Sequence, residues 1–280
     1  MPDVLRLAAF TDDPSGGNPA GVVLDAHGMS DAEMLALAAR LDYSESAFLF
    51  PRADEPRSYD VRYFSPLAEV PFCGHATIAS AVAVARRNGP GGLVLYTQAG
   101  QVAVRTRVVD ATLVATLTSV PARLEPTAEA DVDRALALLG WAREDLDPGL
   151  PPRIAYAGAR HLVLAAGSRS RLADLDYDVD GLKDFMLAHD LTTVALVWRE
   201  APMLFHARNP FPVGGVFEDP ATGAAAAALG AYLRDLGLVE PPVDLEIRQG
   251  DDMGRPSRLG VHIPAGRPEI QVTGAAVEIP

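Results

Sequence analysis

The chain has 280 residues, 49% of them hydrophobic and 22% charged, which is too apolar for a disordered protein and long enough for two moderate domains. Its formal net charge of −13, with no basic run longer than Arg86-Arg87, argues against a nucleic-acid partner. The single cysteine, Cys73, excludes an internal disulfide and a multi-cysteine zinc site, and no apolar run reaches the roughly 18 residues of a membrane-spanning helix.

The start, Met1-Pro2-Asp3-Val4, carries no basic stretch followed by an apolar core, so a cytoplasmic protein is expected. Residues 4–10 read as a strand that enters a turn-rich loop, 11–19, dense in Asp, Gly, Pro and Asn. Extended character resumes over 21–24. Ser30-Asp31-Ala32-Glu33 is a capping box ahead of an apolar helix, 34–41. Asp42 to Ser46 then leads directly into a strand, 47–50, which puts Glu45 at a helix-to-strand junction, where a side chain is aimed firmly. Residues 59–64 alternate as a further strand, ended by Ser65-Pro66.

Phe72-Cys73-Gly74-His75-Ala76-Thr77 opens a helix of small apolar residues, 78–85, closed by Asn88-Gly89. Strands follow at 93–96, 102–107 and 112–117, and residues 121–126 bridge to a second half. That half reads as a helix over 131–139, strands at 154–156 and 161–165, a helix at 181–189, and strands at 193–198 and 203–207. Glu218-Asp219-Pro220-Ala221-Thr222-Gly223-Ala224 then repeats the earlier design, with Asp219 as N-cap, Pro220 as first helical residue and an alanine-rich helix ended by Gly237. Both helices lack a wet face and belong inside a sheet. Their N-termini offer free backbone N–H groups and a positive dipole end, which suit a carboxylate. Strands at 245–249, 260–263 and 270–272 complete the chain.

Six motifs stand in a fixed order: Gly17-Asn18-Pro19-Ala20-Gly21-Val22, Ser44-Glu45-Ser46-Ala47-Phe48, Arg62-Tyr63-Phe64-Ser65-Pro66, Glu69 to Thr77, Glu218 to Gly223, and Gln249-Gly250 with Met253-Gly254-Arg255-Pro256-Ser257. Together they resemble the PhzF-like isomerases of phenazine biosynthesis, within the broader diaminopimelate-epimerase fold. The resemblance implies an α/β (α+β) architecture of two pseudo-symmetric domains, each a curled, mostly antiparallel sheet or barrel around a central buried helix. It assigns residues 1–118 plus 269–280 to the N-terminal half and 119–268 to the C-terminal half, with the active site in the cleft between them. It further implies a homodimer without metal or organic cofactor, acting on a small carboxylate-bearing metabolite; charge and hydropathy, as above, give no nucleic-acid or membrane partner.

In that family the position of Glu45 moves a proton on and off the substrate, chemistry that needs a carboxyl group shielded from bulk water so that its pKa rises. Taken alone, a junction glutamate is more often a solvated turn residue. By the same resemblance His75 hydrogen-bonds substrate or shuttles a proton, and Asp219 is a polar substrate contact. Without it, His75 is a packing residue and Asp219 a helix cap. Asn18, Ser44, Gly74, Ala76, Thr222, Gly223 and Ala224 are carried over as substrate-binding residues, and Gln249 and Arg255 stay outside the assignment.

The family commonly has a serine hydroxyl where this chain has Ala224, which leaves backbone N–H groups of Gly223 and Ala224 for an anion. Diaminopimelate epimerases and proline racemases use two facing cysteines. Cys73 falls at the first of those positions, but Pro220 stands at the second, so a two-thiol racemase is excluded. Cys73 is then expected to be a small buried apolar residue. Two function classes stay open at this level: a cofactor-independent isomerase, and a noncatalytic small-molecule binding protein that keeps the fold.

Overall fold

The computed structural model describes residues 3–280; Met1 and Pro2, cited above for the character of the start, lie outside the described residues. The chain divides into two compact units, one running to Thr118 and including Val272–Pro280, the other Ser119–Gln271.

In the first unit, β1 (Leu5–Ala9) pairs antiparallel with β2 (Asn18–Val23), β2 runs parallel to β3 (Glu45–Pro51), and β3 is antiparallel to β4 (Ser58–Phe64). A two-residue strand, β5 (Glu69–Val70), borders β4, which runs parallel to β6 (Gly91–Thr97). β7 (Gly100–Val109) and β8 (Thr112–Thr118) continue antiparallel. The last strand of the chain, numbered β17 (Gln271–Glu278), pairs with both β8 and β1, so the strands close into a barrel.

Along the chain, α1 (Asp31–Leu41) joins β2 to β3 and α2 (Gly74–Asn88) joins β5 to β6. The capping box at Ser30 and Glu33 is present, and α1 lays Met34, Leu37 and Ala38 against Phe48 and Phe64. α2 fills the barrel, and every residue from His75 to Ala85 is buried. Ile78, Val82 and Val84 are among them and contribute about 1.5–3 kcal/mol each by leaving water.

The second unit repeats this strand order. β9 (Arg123–Glu125) and β11 (Arg160–Ala165) flank β10 (Arg153–Tyr156), all antiparallel, and β11 runs parallel to β12 (Thr193–Ala201). β12 is antiparallel to β13 (Leu204–Pro210), which is parallel to β15 (Val243–Gln249), itself antiparallel to β16 (Ser257–Ile263). Between β13 and β15 come the short β14 (Glu218–Asp219) and the buried α6 (Gly223–Asp235). The alternation antiparallel, parallel, antiparallel, parallel, antiparallel over β10 to β16 matches that over β1 to β7.

The space around α6 is tight at Gly230. A methyl group at Gly230 would stand 2.9 Å from Ile270 Cγ2 and 3.0 Å from Val261 Cγ1. The outer layer of this unit is formed by α3 (Glu129–Leu138), a short α4 (Arg169–Ala173) and α5 (Val179–Ala188), whose apolar faces meet Leu162, Leu164, Val194 and Leu196. No helix among the described residues is long and apolar enough to cross a membrane.

Residues 269–271, expected with the first half, group with the second. The Ser119 N–H donates to the Ile270 carbonyl at 2.8 Å, and the Ile270 N–H donates back to Ser119 Oγ at 3.0 Å. Ile270 is also fully buried beside Gly230.

Candidate active site

The first unit gathers Asn18, Ser44, Glu45, Cys73 and His75 into one cluster. Asn18 opens β2 and Glu45 opens β3; these strands run parallel, with Ala20 opposite Glu45. α1 ends at Asp42 in the left-handed region (φ 55°), which turns the chain into Ser44 and Glu45. Cys73 caps α2 and His75 is its second residue. Thr77, one turn on, donates to the Cys73 carbonyl at 2.7 Å and meets Tyr63 Oη at 2.6 Å, which fixes the helix start against β4.

His75 is 4% exposed. Its Nδ1 lies 3.1 Å from Asn18 Nδ2 and its Nε2 lies 3.3 Å from Ser44 Oγ, which in turn donates to Asn18 Oδ1 at 3.4 Å. Burial pushes its pKa down to about 3, against a weaker upward pull from a hydrogen bond to the Pro19 carbonyl. The ring is therefore neutral near pH 7 and carries one N–H.

The Glu45 side chain is 12% exposed, with Oε2 3.6 Å from His75 Nε2 and 3.6 Å from Cys73 Sγ. Burial raises its pKa above the ordinary carboxylate value, while hydrogen bonds from Ser44 and Cys73 pull the other way. A junction glutamate solvating a turn would be exposed and unshifted; this one is neither. Cys73 is buried as expected of a packing residue, but its sulfur also lies 3.3 Å from His75 Nδ1, inside the polar cluster. Gly74 and Ala76 form the first turn of α2, whose N-terminus has no side-chain cap.

In the second unit the local structure at Asp219 differs from the sequence expectation. Asp219 is not the N-cap and Pro220 is not helical: α6 begins at Gly223, with Thr222 as N-cap and no side-chain cap bond. The reason is competition from a strand, since Glu218 and Asp219 pair with Pro210 and Asn209 and stay extended. The Asp219 carboxylate instead accepts from the Thr222 hydroxyl at 2.6 Å. Gln249 ties the segment together, accepting from the Thr222 N–H at 3.1 Å and donating to the Asp219 carbonyl at 2.7 Å and to Thr222 Oγ1 at 3.0 Å. Gly250 (φ +80°) lets the chain pass so close that a Cβ would meet the Arg255 carbonyl and stand 2.8 Å from that of Pro220. Arg208, which lies outside the sequence motifs, forms a buried fork-to-fork ion pair with Glu218, the first residue of one of them, joining β13 to β14. The charge of Glu218 at the head of the motif was the only cue in the sequence, and it does not name its partner.

The family model described as phenazine biosynthesis-like protein matches residues 7–279. The chain belongs to this family. A relative from Pseudomonas chlororaphis, named trans-2,3-dihydro-3-hydroxyanthranilate isomerase, is 31% identical across 90% of this chain and 87% of its own. Among solved structures, a predicted epimerase from Pseudomonas aeruginosa superposes with a TM-score of 0.89 at 27% identity, covering 100% of this chain and 98% of that one. A hydroxyproline epimerase from Agrobacterium vitis shares the fold, with a TM-score of 0.67 at 15% identity over 98% and 90% of the two chains. By family the protein is an isomerase, and its fold is epimerase-like.

Among the described residues, Glu45, Cys73 and His75 are also the group of side chains placed to share a metal ion, with donor atoms all within 4.8 Å of one another.

Proposed function

We propose that the protein is a cofactor-independent isomerase that removes a proton from one carbon of a small carboxylate-bearing metabolite and returns it to another, with Glu45 as the acid/base. The observation that carries this reading is the Glu45 carboxyl group, withdrawn from water and held by Ser44 and Cys73 next to a neutral imidazole. A carboxyl group whose pKa is raised is a stronger base once ionised, and after taking the substrate proton it keeps that proton from water for delivery in the second half of the reaction. A neutral His75 donates or accepts a hydrogen bond without adding a fixed positive charge that would pull the Glu45 pKa back down.

Asp219, Thr222 and the first N–H groups of α6 are assigned to substrate contact in the second unit. Support comes from Asp219 being buried, at 5% exposure, with its carboxylate accepting from the Thr222 hydroxyl. The relative from P. chlororaphis is named for isomerising trans-2,3-dihydro-3-hydroxyanthranilate. Ala224 in place of a serine hydroxyl removes one donor, so this chain is assigned a related carboxylate rather than that compound.

The test is solvent exchange. Incubated with candidate carboxylates in deuterated water, the protein should place deuterium at a substrate carbon, and Glu45→Gln should lose at least about 100-fold in rate, the low end of general acid–base contributions. Exchange undiminished in Glu45→Gln would remove Glu45 from the role.

A further inference from the structure

Glu45, Cys73 and His75 bring an oxygen, a sulfur and a nitrogen donor together at one buried point. We propose that these three side chains bind a single thiophilic divalent transition cation, Zn²⁺ being the type, and that its binding silences the isomerase by taking the Glu45 carboxylate out of proton transfer. The second half of the proposal rests on the acid/base reading of Glu45; the first half does not.

Spacing is the first argument. With His75 Nε2 as ligand, the donor triangle has edges of 3.8 Å (Cys73 Sγ to Nε2), 3.6 Å (Nε2 to Glu45 Oε2) and 3.6 Å (Sγ to Oε2). Bond lengths of about 2.3 Å to sulfur and about 2.0–2.2 Å to nitrogen and oxygen, at tetrahedral angles, call for edges of roughly 3.3–3.6 Å. The three edges need to shorten by only a few tenths of an ångström, but the imidazole must also turn about its Cβ–Cγ bond to aim its lone pair, because the sulfur now lies 3.3 Å from Nδ1, nearer than Nε2. Ser44 Oγ, 3.3 Å from Nε2, borders the fourth position, which water or an anion would take.

The surroundings are the second argument. A histidine that ligates a metal is oriented by a hydrogen bond to its ring, and the His75 ring already has one to the Pro19 carbonyl. Asn18 meets the same ring and presents its oxygen on a flip of the amide.

Charge and softness decide the class of ion. A divalent cation with one thiolate and one carboxylate is neutral overall, which suits a buried point where an uncompensated charge is costly. One sulfur, one nitrogen and one oxygen suit zinc and its neighbours, whereas Mg²⁺ and Ca²⁺ call for six or more oxygens. Binding displaces the Cys73 thiol proton to solvent, together with the Glu45 proton in molecules that carry one, so affinity rises with pH.

Co²⁺, added to chelator-stripped protein, is the probe. We expect one equivalent to produce a near-ultraviolet thiolate-to-cobalt charge-transfer band, which Zn²⁺ abolishes by displacement and which exposed carboxylates cannot imitate. Cys73→Ser should lose the band, and His75→Ala should weaken binding by more than about 100-fold, the upper end of what loss of an outer-shell partner costs. If Cys73→Ser does not fold, as judged by circular dichroism, Cys73→Ala takes its place. No band in the native protein, or a band that survives either cysteine variant, overturns the site and leaves the isomerase reading untouched. A normal band with solvent exchange unchanged at saturating Zn²⁺ overturns the silencing and, with it, the role of Glu45.

Discussion

Glu45 Oε2 lies 3.6 Å from His75 Nε2, yet the two do not form an ion pair. Burial moves them in opposite directions, holding the imidazole neutral with a pKa of about 3 and pushing the carboxyl group toward its protonated form. The pH dependence of solvent exchange should therefore show one limb from Glu45, rising with pH as the carboxylate forms, with a midpoint above the ordinary 4.5. His75 should contribute no limb between about pH 5 and 8, although a free histidine titrates there. A rate profile checks this, and a limb near the free-histidine value that disappears in His75→Asn would contradict it.

Much of this site was legible in the chain because its cues are local. The capping box at Ser30 and Glu33, the breaks at Asn88-Gly89 and Gly237 and the small-residue runs of α2 and α6 each follow from backbone stereochemistry within a few residues. Glu45 and His75 were reached through motif resemblance, not periodicity, since nothing in a lone glutamate tells buried from exposed. What stayed hidden depends on partners distant in sequence. Strand pairing with Asn209 kept Asp219 out of the helix, 30 residues separate Gln249 from the carbonyl it holds, and the cysteine sulfur met its carboxylate across 28 residues.

A second buried histidine should make the protein acid-sensitive. His161 is fully buried in β11, its Nδ1 is 2.8 Å from Thr193 Oγ1, and its Nε2 has no partner. Burial pushes its pKa down to about 3, against 6.5 when unfolded. The unfolded chain thus takes up a proton that the folded one refuses, so the stability is complete above pH 6.5 and is lost as pH falls toward 3. Between pH 7 and pH 5 this one group should remove about 2 kcal/mol. Urea unfolding of His161→Leu at both pH values should show a drop smaller by that amount, with Thr193 still donating to Asn209 at 2.9 Å. An unchanged drop would assign the acid sensitivity elsewhere.

Gly250→Ala should be costly for so small a change at the end of a strand. The position requires φ +80°, and the added methyl group would run into the Arg255 carbonyl and crowd that of Pro220. Relief requires the chain to move on one side or the other, and both sides anchor the Asp219 segment through Gln249. A loss of about 3 kcal/mol in denaturant unfolding is expected, in the upper range for a single backbone strain. Gly237→Ala, also at positive φ but with nothing within 4 Å of the added methyl group, should cost less.

The Arg208–Glu218 pair offers the clearest separation of structure from chemistry. The two side chains are 8% and 3% exposed, and the guanidinium also donates to the Ala173 carbonyl at 2.6 Å. Removing only the cation, in Arg208→Met, leaves Glu218 buried without its counter-charge next to Asp219 and should cost about 3–5 kcal/mol. Replacing both, in Arg208→Met with Glu218→Leu, removes the stranded charge and should recover most of that loss, because a buried ion pair adds little over a well-packed apolar pair. Denaturant unfolding of the two single variants and the double variant forms the cycle that measures the coupling. If the double variant is as unstable as Arg208→Met, the cost lies in the lost contact to Ala173 and in packing, and the ion pair is not what holds β14 in place.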